Sequence, residues 1–235
     1  MGIFKQRERE IFDLMASSSE VGGSSADYET MMSTSDVELL KRAWRNEKAA
    51  PEILQYEGAL VERAKEQIEL VEETIEDYVE NGKDPLLVSL YQMDLDRTQF
   101  LLRSYLRVRL VKIEKFMFHN LKSEEAERRL SEQERVFATK CADDLVKHFE
   151  ETVLLKLPEN YQSVLKQSQI SEVDDMVPQP HLDTFVVCRS NNFVSLNLYE
   201  EGESPETVEM ERGDLYFIRY KIVKGAIESG QIDLI

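Results

Sequence analysis

The chain has 235 residues, with 46 acidic against 29 basic side chains for a formal net charge of −17, and 42% hydrophobic content. This suits a soluble globular protein with room for one large or two small domains. It excludes a membrane-spanning helix, because no run of ~18 apolar residues exists, and it argues against a surface that grips phosphate backbones as a whole, since such contact relies on Lys and Arg.

The only cysteines, Cys141 and Cys188, form no Cys-x-x-Cys pair and follow no signal peptide, which points to a reducing compartment, cytosol or nucleus. Gly2 fits N-myristoylation, but Gln6 stands where that motif wants Ser or Thr.

In chain order, Ile3, Phe4, Ile11, Phe12, Leu14 and Met15 sit among charges in a segment able to form a short amphipathic helix. It reads either as a frayed N-terminus or as a linear peptide that folds into a partner's groove. Ser17 to Ser35 is rich in Ser, Gly and acids, too polar to offset the entropy of ordering itself, so residues 1–34 are expected to form a disordered tail.

A helical domain is expected over residues 35–160. Ser35 with Glu38 makes a capping box that opens a helix through Leu39, Leu40, Ala43 and Trp44 to about Ala49, with Trp44 read as core. Pro51 is expected near the start of a second helix, whose Val61, Ala64, Ile68, Val71, Ile75 and Tyr78 follow the 3-4 spacing of a coiled-coil-like seam. Asn81-Gly82 ends it, and Asp84-Pro85 caps the next.

The stretch from Leu86 to Phe118 lacks Gly and Pro and is expected to form one helix roughly 50 Å long. A wide apolar face includes Leu87, Tyr91, Leu95, Leu102, Tyr105, Leu106, Leu110, Ile113 and Phe116; a narrower stripe follows Leu90, Met93, Phe100, Leu101, Val108 and Val111. One face can pack on the chain's own helices, and the other asks for another subunit. Arg109 falls within the wide apolar arc, where a charge needs a partner.

The long helix is basic and its predecessor acidic. Antiparallel pairing through the short connection would set Arg97 beside Glu66 to Glu69, Arg103 beside Glu62 and Arg107 beside Glu57. An interhelical ladder is the preferred reading over a nucleic-acid stripe. After a polar link, Ser131 and Glu134 repeat the capping box and open a fourth helix along Val136, Phe137, Cys141, Leu145, Phe149 and Val153, giving a bundle.

Residues 161–180 lose periodicity and end in Val-Pro-Gln-Pro, a linker. Residues 181–235 read as a small, mostly β module with strands at Thr184–Cys188, Val194–Tyr199, Thr207–Met210, Leu215–Val223 and Gln231–Ile235, and a helical turn at Lys224–Ser229. A core this small is marginal and is expected to lean on something larger.

No motif carries chemistry. His119, His148 and His181 are scattered, no metal-ligand spacing or phosphate loop is present, and no nucleophile elbow occurs. The expectation is a non-enzyme with no cofactor and no metal.

Three ordered stretches, Trp44–Leu54 (WRNEKAAPEIL), Ser104–Phe116 (SYLRVRLVKIEKF) and Ile218–Ile222 (IRYKI), together with the Leu234-Ile235 ending, resemble the fourth, Sld-five-type subunit of the GINS complex. The resemblance covers Ser35 to Ile235, with Pro178 to Asp183 preceding the β module as in that family. It implies a mainly α fold, a helical A domain followed by a β-rich B domain, in a heterotetramer with three related subunits. That complex joins the MCM helicase ring and its accessory protein in the nucleus to make the replicative DNA helicase, whose ATPase lies in the ring, so this chain is expected to be a non-catalytic structural subunit. In some members an N-terminal peptide docks on a trimeric replisome adaptor, and Glu10 to Leu14 is loosely similar.

Taken together, the motifs and the second stripe mark Trp44, Arg97, Leu101, Tyr105, Val108, Arg109, Lys112, Lys115, Phe116, Tyr220, Leu234 and Ile235 as expected assembly residues, with Ile11, Phe12 and Leu14 as the docking peptide. The alternative is a coiled-coil scaffold or tether of another complex, in which the β module would be dispensable. No sequence-specific nucleic-acid contact and no membrane contact are expected.

Overall fold

Helical periodicity, two strong caps and one left-handed glycine dictate the first half of the chain. The computed structural model describes residues 35–168, 170–198 and 206–235; the expected tail and its Ile11, Phe12 and Leu14 lie outside the described residues.

Helix α1 (Asp36–Ala49), α2 (Gly58–Glu80) and α3 (Pro85–Lys115) pack against one another. The α2–α3 turn forms as its residues require: Gly82 adopts φ +61°, Asp84 accepts a hydrogen bond from Leu86 N at 3.0 Å, and Pro85 occupies the first helical turn. The expected seam of α2 faces inward, with Val61, Ala64 and Ile75 buried and Ile68, Val71 and Tyr78 half-buried. It meets Leu40 of α1 and Leu102 and Tyr105 of α3.

Pro51 does not begin a helix. Residues 51–57 form a non-helical strap, and α2 starts only at Gly58. The long helix is also shorter than expected, because Phe116 leaves helical geometry at φ −116°, ψ 24° and closes α3, and the chain restarts as α4 (Met117–Lys122). The expected polar link holds this helix and α5 (Glu124–Arg128), whose first turn is capped by Ser123.

The capping box at Ser131 and Glu134 is complete in both directions, opening α6 (Glu132–Thr152). Its buried face differs from the expected one. Val136, Phe149 and Val153 are exposed, Phe137, Cys141 and Leu145 half-buried, whereas Ala138 and Ala142 are buried. Small side chains let α6 approach α3 closely around Ile113, Ile53 and Leu130, a contact that a search for bulky apolar residues passes over.

Two short 3₁₀ turns (Leu154–Lys156, Glu159–Tyr161) lead into an irregular segment, and then strands begin. β1 (Phe185–Ser190) is the centre of an antiparallel sheet of order β4-β1-β5, while β2 (Val194–Leu198) and β3 (Glu206–Met210) pair as a separate antiparallel two-stranded sheet. β4 (Leu215–Arg219) pairs with β1 in the register Val187↔Phe217, and β5 (Ile232–Leu234) pairs on the other side with Cys188↔Leu234.

The expected strand through Val223 stops at Arg219, and residues Tyr220–Glu228 form helix α7. Tyr220, Val223, Ala226 and Ile227 lie on one helical face and are all buried, so spacing overrides β-branched composition here. Gly230 at φ +74° then reverses the chain into β5.

The module leans on the chain's own helices. Its core, built on Val186, Cys188, Met210, Tyr220, Ile232 and Leu234, includes Ala50 and the flanking Ala49 and Leu54. Along α1, Arg42 Nε donates to Asp233 Oδ1 at 2.5 Å, and Asn46 Oδ1 accepts from Leu234 N at 2.8 Å.

Deleting Gln231–Ile235 therefore removes Ile232 and Leu234 from the core, at roughly 1.5 to 3 kcal/mol each, along with the seam to α1. The truncated chain is expected to keep its helical circular-dichroism signal while amides of β1 and β4 lose protection from hydrogen exchange. Undiminished protection there would show that β5 is not needed for the module.

Candidate functional site

Where α1, α3, α5, α6 and α7 converge, the strap at residues 51–57 is held by cations. Pro51 donates no backbone hydrogen bond, and three successive strap carbonyls accept bonds from side chains: Glu52 O from Lys112 Nζ at 2.8 Å, Ile53 O from Arg129 Nη1 at 3.1 Å, and Leu54 O from Arg109 Nη1 at 2.8 Å.

The cations are matched by carboxylates. Arg109, 0% exposed, forms a two-pronged pair with Glu134, Nε to Oε1 at 2.7 Å and Nη2 to Oε2 at 2.9 Å, and reaches Glu47 Oε2 at 2.9 Å. The Glu134 carboxylate also closes the α6 capping box by accepting from Ser131 N at 2.8 Å. Lys112 meets Glu47 Oε1 at 2.9 Å. Arg129 meets Glu52 Oε2 at 2.9 Å, and Glu52 also accepts from Tyr220 OH at 2.9 Å, bringing α7 into the same knot. Lys224 bridges Glu52 and Glu125, and Glu228 reaches Arg129 at 2.6 Å.

Burial by itself pulls the Arg109 guanidinium down, but the Glu134 hydrogen bonds and the Glu47 charge more than offset it and hold its pKa above the ordinary value. For Lys112 burial wins, and its ammonium is held below the usual lysine range despite Glu47. Burial pushes the Tyr105 phenol up to about 12, with Arg109 acting in the opposite sense. Tyr220 is raised as well, first by burial and then by the Glu52 charge beside it.

The outer surface has the reverse character. On α3, Leu90, Met93, Phe100 and Val111 are exposed, and Leu101 and Val108 half-buried, so the second apolar stripe is open along the chain. Beside it Val37, Lys41 and Trp44 of α1 and Phe100 and Leu101 of α3 line a groove of about 690 Å³.

The expected assembly residues divide between these two settings. Tyr105, Arg109, Phe116, Tyr220 and Leu234 are interior to the chain itself; Leu101 and Val108 are half-buried within the stripe and Trp44 half-buried beside it; Lys112 is tied to Glu47; and Arg97, Lys115 and Ile235 are exposed. Lys48 and Lys115 stand over the Trp44 and Phe116 rings at 5.3 and 5.0 Å.

The expected interhelical ladder does not form. Arg97 pairs with Asp94 within its own helix at 3.5 Å, Arg103 donates to Gln99, and the α2 bases turn to Asp36 and Glu62. The charged side chains splay outward because α2 and α3 meet through their apolar seams, and Gln99 Nε2 donates across to Glu72 Oε1 at 2.7 Å.

Sequence reasoning found Arg109 from its place in an apolar arc and Glu134 from its cap. It missed Glu47, Glu52 and Arg129, which look like ordinary surface charges in sequence.

A family model described as "GINS complex protein helical bundle domain" matches residues 63–153, and one described as "DNA replication complex GINS protein SLD5 C-terminus" matches residues 180–235. Proteins named "DNA replication complex GINS protein SLD5" are 93% identical in Arabidopsis thaliana, over 94% of this chain and all of that relative, and 36% identical in Rattus norvegicus, over 85% of this chain and 88% of the relative. The Homo sapiens protein of the same name is 33% identical over 85% of this chain and 88% of its own length.

The chain belongs to the SLD5 family of GINS proteins. The helical-bundle match of that family begins in α2 and runs through α6, and the C-terminal match spans the β module; the cation-held strap lies outside both.

Replacing Arg109 leaves Glu47 and Glu134 buried without their shared cation. Arg109→Leu is expected to lower stability by about 3 to 5 kcal/mol and Arg109→Ala by more, because only Leu refills part of the volume. Urea midpoints of the full chain check this order, and Arg109→Lys, which lacks the planar fork, is expected not to restore wild-type stability. A second expectation is pH-dependent. Because folding raises the Tyr105 pKa, its contribution is complete below pH ~10 and is lost as pH rises toward the folded value. The stability difference between wild type and Tyr105→Phe is therefore expected to shrink by about 1 kcal/mol between pH 9 and pH 11.

Proposed function

We propose that this chain is a non-catalytic structural subunit of a GINS heterotetramer that acts in DNA replication. Within it the chain joins three related subunits, and the tetramer works in the nucleus with the MCM helicase ring and its accessory protein as part of the replicative helicase. The observation that carries the reading is the open second stripe of α3. A 31-residue helix with Leu90, Met93, Phe100 and Val111 facing solvent, next to the Trp44 groove, is costly for a free monomer and suited to a subunit.

Family membership supports other GINS subunits as its partners. The buried charge knot supports a structural role for Tyr105, Arg109, Lys112, Phe116 and Tyr220, which fix the helices that carry the stripe. In the same role, Ile11, Phe12 and Leu14 dock on a trimeric replisome adaptor, and Phe12→Ala is expected to abolish that contact in a pull-down while the tetramer still forms.

A coiled-coil tether requires a dispensable β module, whereas this module is tied to α1 through Arg42 and Asn46 and to the strap through Tyr220 and Glu52. A nucleic-acid surface gains support from the exposed Arg97, Arg103 and Arg107, which the missing ladder leaves open, but Asp94 and Asp96 stand among them and the net charge of −17 opposes it.

Co-expression with the three other GINS subunits is expected to yield a one-to-one-to-one-to-one complex by native mass spectrometry. Phe100→Asp with Val111→Asp is expected to abolish it without changing the circular dichroism of the chain. A tetramer of full mass from the double variant would remove the α3 stripe from the interface.

A further inference from the structure

The two edges of the three-stranded sheet are treated differently. The β5 edge is closed by α1, through Asn46 at Leu234 N and Arg42 at Asp233. The β4 edge has no such cover among the described residues. Two bonds fix its pairing with β1, Tyr220 N to Thr184 O at 2.9 Å and Ser190 N to Asp214 O at 3.2 Å, so the even-numbered residues of β4 bond β1. The amides and carbonyls of Leu215 and Phe217 therefore point away from the sheet, along an edge free of Pro and Lys.

On the outer face the same two residues are open, Leu215 at 59% and Phe217 at 69% exposure, beside Phe185 and Val187. Phe185 and Phe217 stack with centroids 5.1 Å apart. Cations bound this apolar strip: Arg189 lies across from Leu215 in the register, and the Arg219 guanidinium sits 5.6 Å from the Phe185 ring.

We infer that β4 is a docking edge for an extended peptide segment of another protein, which adds as a strand and presents alternating apolar residues flanked by carboxylates. Backbone hydrogen bonds to Leu215 and Phe217 would hold the segment, the Phe185–Phe217 stack would take its apolar side chains, and Arg189 and Arg219 would select acids at its ends. A second copy of this chain fits poorly. Antiparallel pairing of two β4 strands about Phe217 sets Leu215 of one copy against Arg219 of the other, which brings Arg189 of the first toward the same cation. The inference does not depend on which complex the chain serves.

The test uses the full chain and a synthetic peptide, Glu-Val-Thr-Val-Thr-Val-Glu, with amide exchange read by NMR. Saturating peptide is expected to slow the Leu215 and Phe217 amides at least about tenfold, and moving both glutamates to the centre is expected to weaken binding about tenfold. Phe217→Pro, which removes an edge N–H but no bond to β1, is expected to abolish binding while Val186 and Cys188 amides stay protected. Should that variant lose the protection, Phe217→Lys, which leaves the backbone intact and adds a cation to the strip, is expected to abolish binding instead. Slowing of the same amides in the co-purified assembly without peptide would mean that a neighbouring subunit supplies the strand, which also supports the docking edge. Unchanged exchange at about 1 mM peptide would overturn the inference. So would slowing that grows with the concentration of the chain alone, since the edge would then be closed by a second copy.

Discussion

Three cations, Arg109 and Arg129 buried and Lys112 half-buried, hold one non-helical strap, and the remaining architecture depends on that arrangement. A chain segment crossing between helices exposes carbonyls that neither helix nor sheet can satisfy, and in a low-dielectric interior each is costly if left alone. Lys112, Arg109 and Arg129 take the carbonyls of Glu52, Leu54 and Ile53 respectively, and Glu47, Glu134 and Glu52 supply the opposite charges. Neither set is tolerable without the other. Such a knot adds little net stability over a well-packed apolar core, but it penalises every arrangement in which one member is missing.

Its members come from α1, the strap, α3, α5, α6 and α7, so it fixes the relative placement of the helical layer and the β module. Glu52 makes this explicit: one carboxylate accepts from Tyr220 of α7 and pairs with Arg129 at the end of α5. A module whose own core is small thus borrows rigidity from the helices, with Ala50 completing its apolar cluster.

Among the described residues a knot of charged side chains, Glu47, Glu52, Arg109, Arg129 and Glu134, is buried while large apolar side chains stand outside, a pattern that does not favour a solitary globule. Phe100 is 63% exposed on α3, and the Phe185–Phe217 stack stands open on the sheet. Under the proposed role these are two separate contact surfaces on one compact unit. Surfaces already in place lose less entropy on assembly than ones that must order on contact.

By itself the sequence determined the features that short-range chemistry controls. The α2 seam, the Gly82 turn with its Asp84-Pro85 cap, the reciprocal cap of α6, the mainly α class followed by a β module, and the need of Arg109 for a partner all depend on residues a few positions apart or on one helical face. Its family was legible too, since three motifs kept their order. Only the tertiary structure decided the rest. Glu47 and Glu52 read as solvated charges until the fold brings α3 within hydrogen-bond distance, across 62 residues for Glu47 and Arg109. Pro51 reads as a helix start until cations elsewhere claim the carbonyls that follow it. Tyr220 to Val223 reads as strand by composition, but the buried face available beneath it has helical spacing. The α2–α3 ladder failed because the register of two helices is set by their apolar seams, and exposed charge pairs, worth well under about 1 kcal/mol each, are too weak to rotate them.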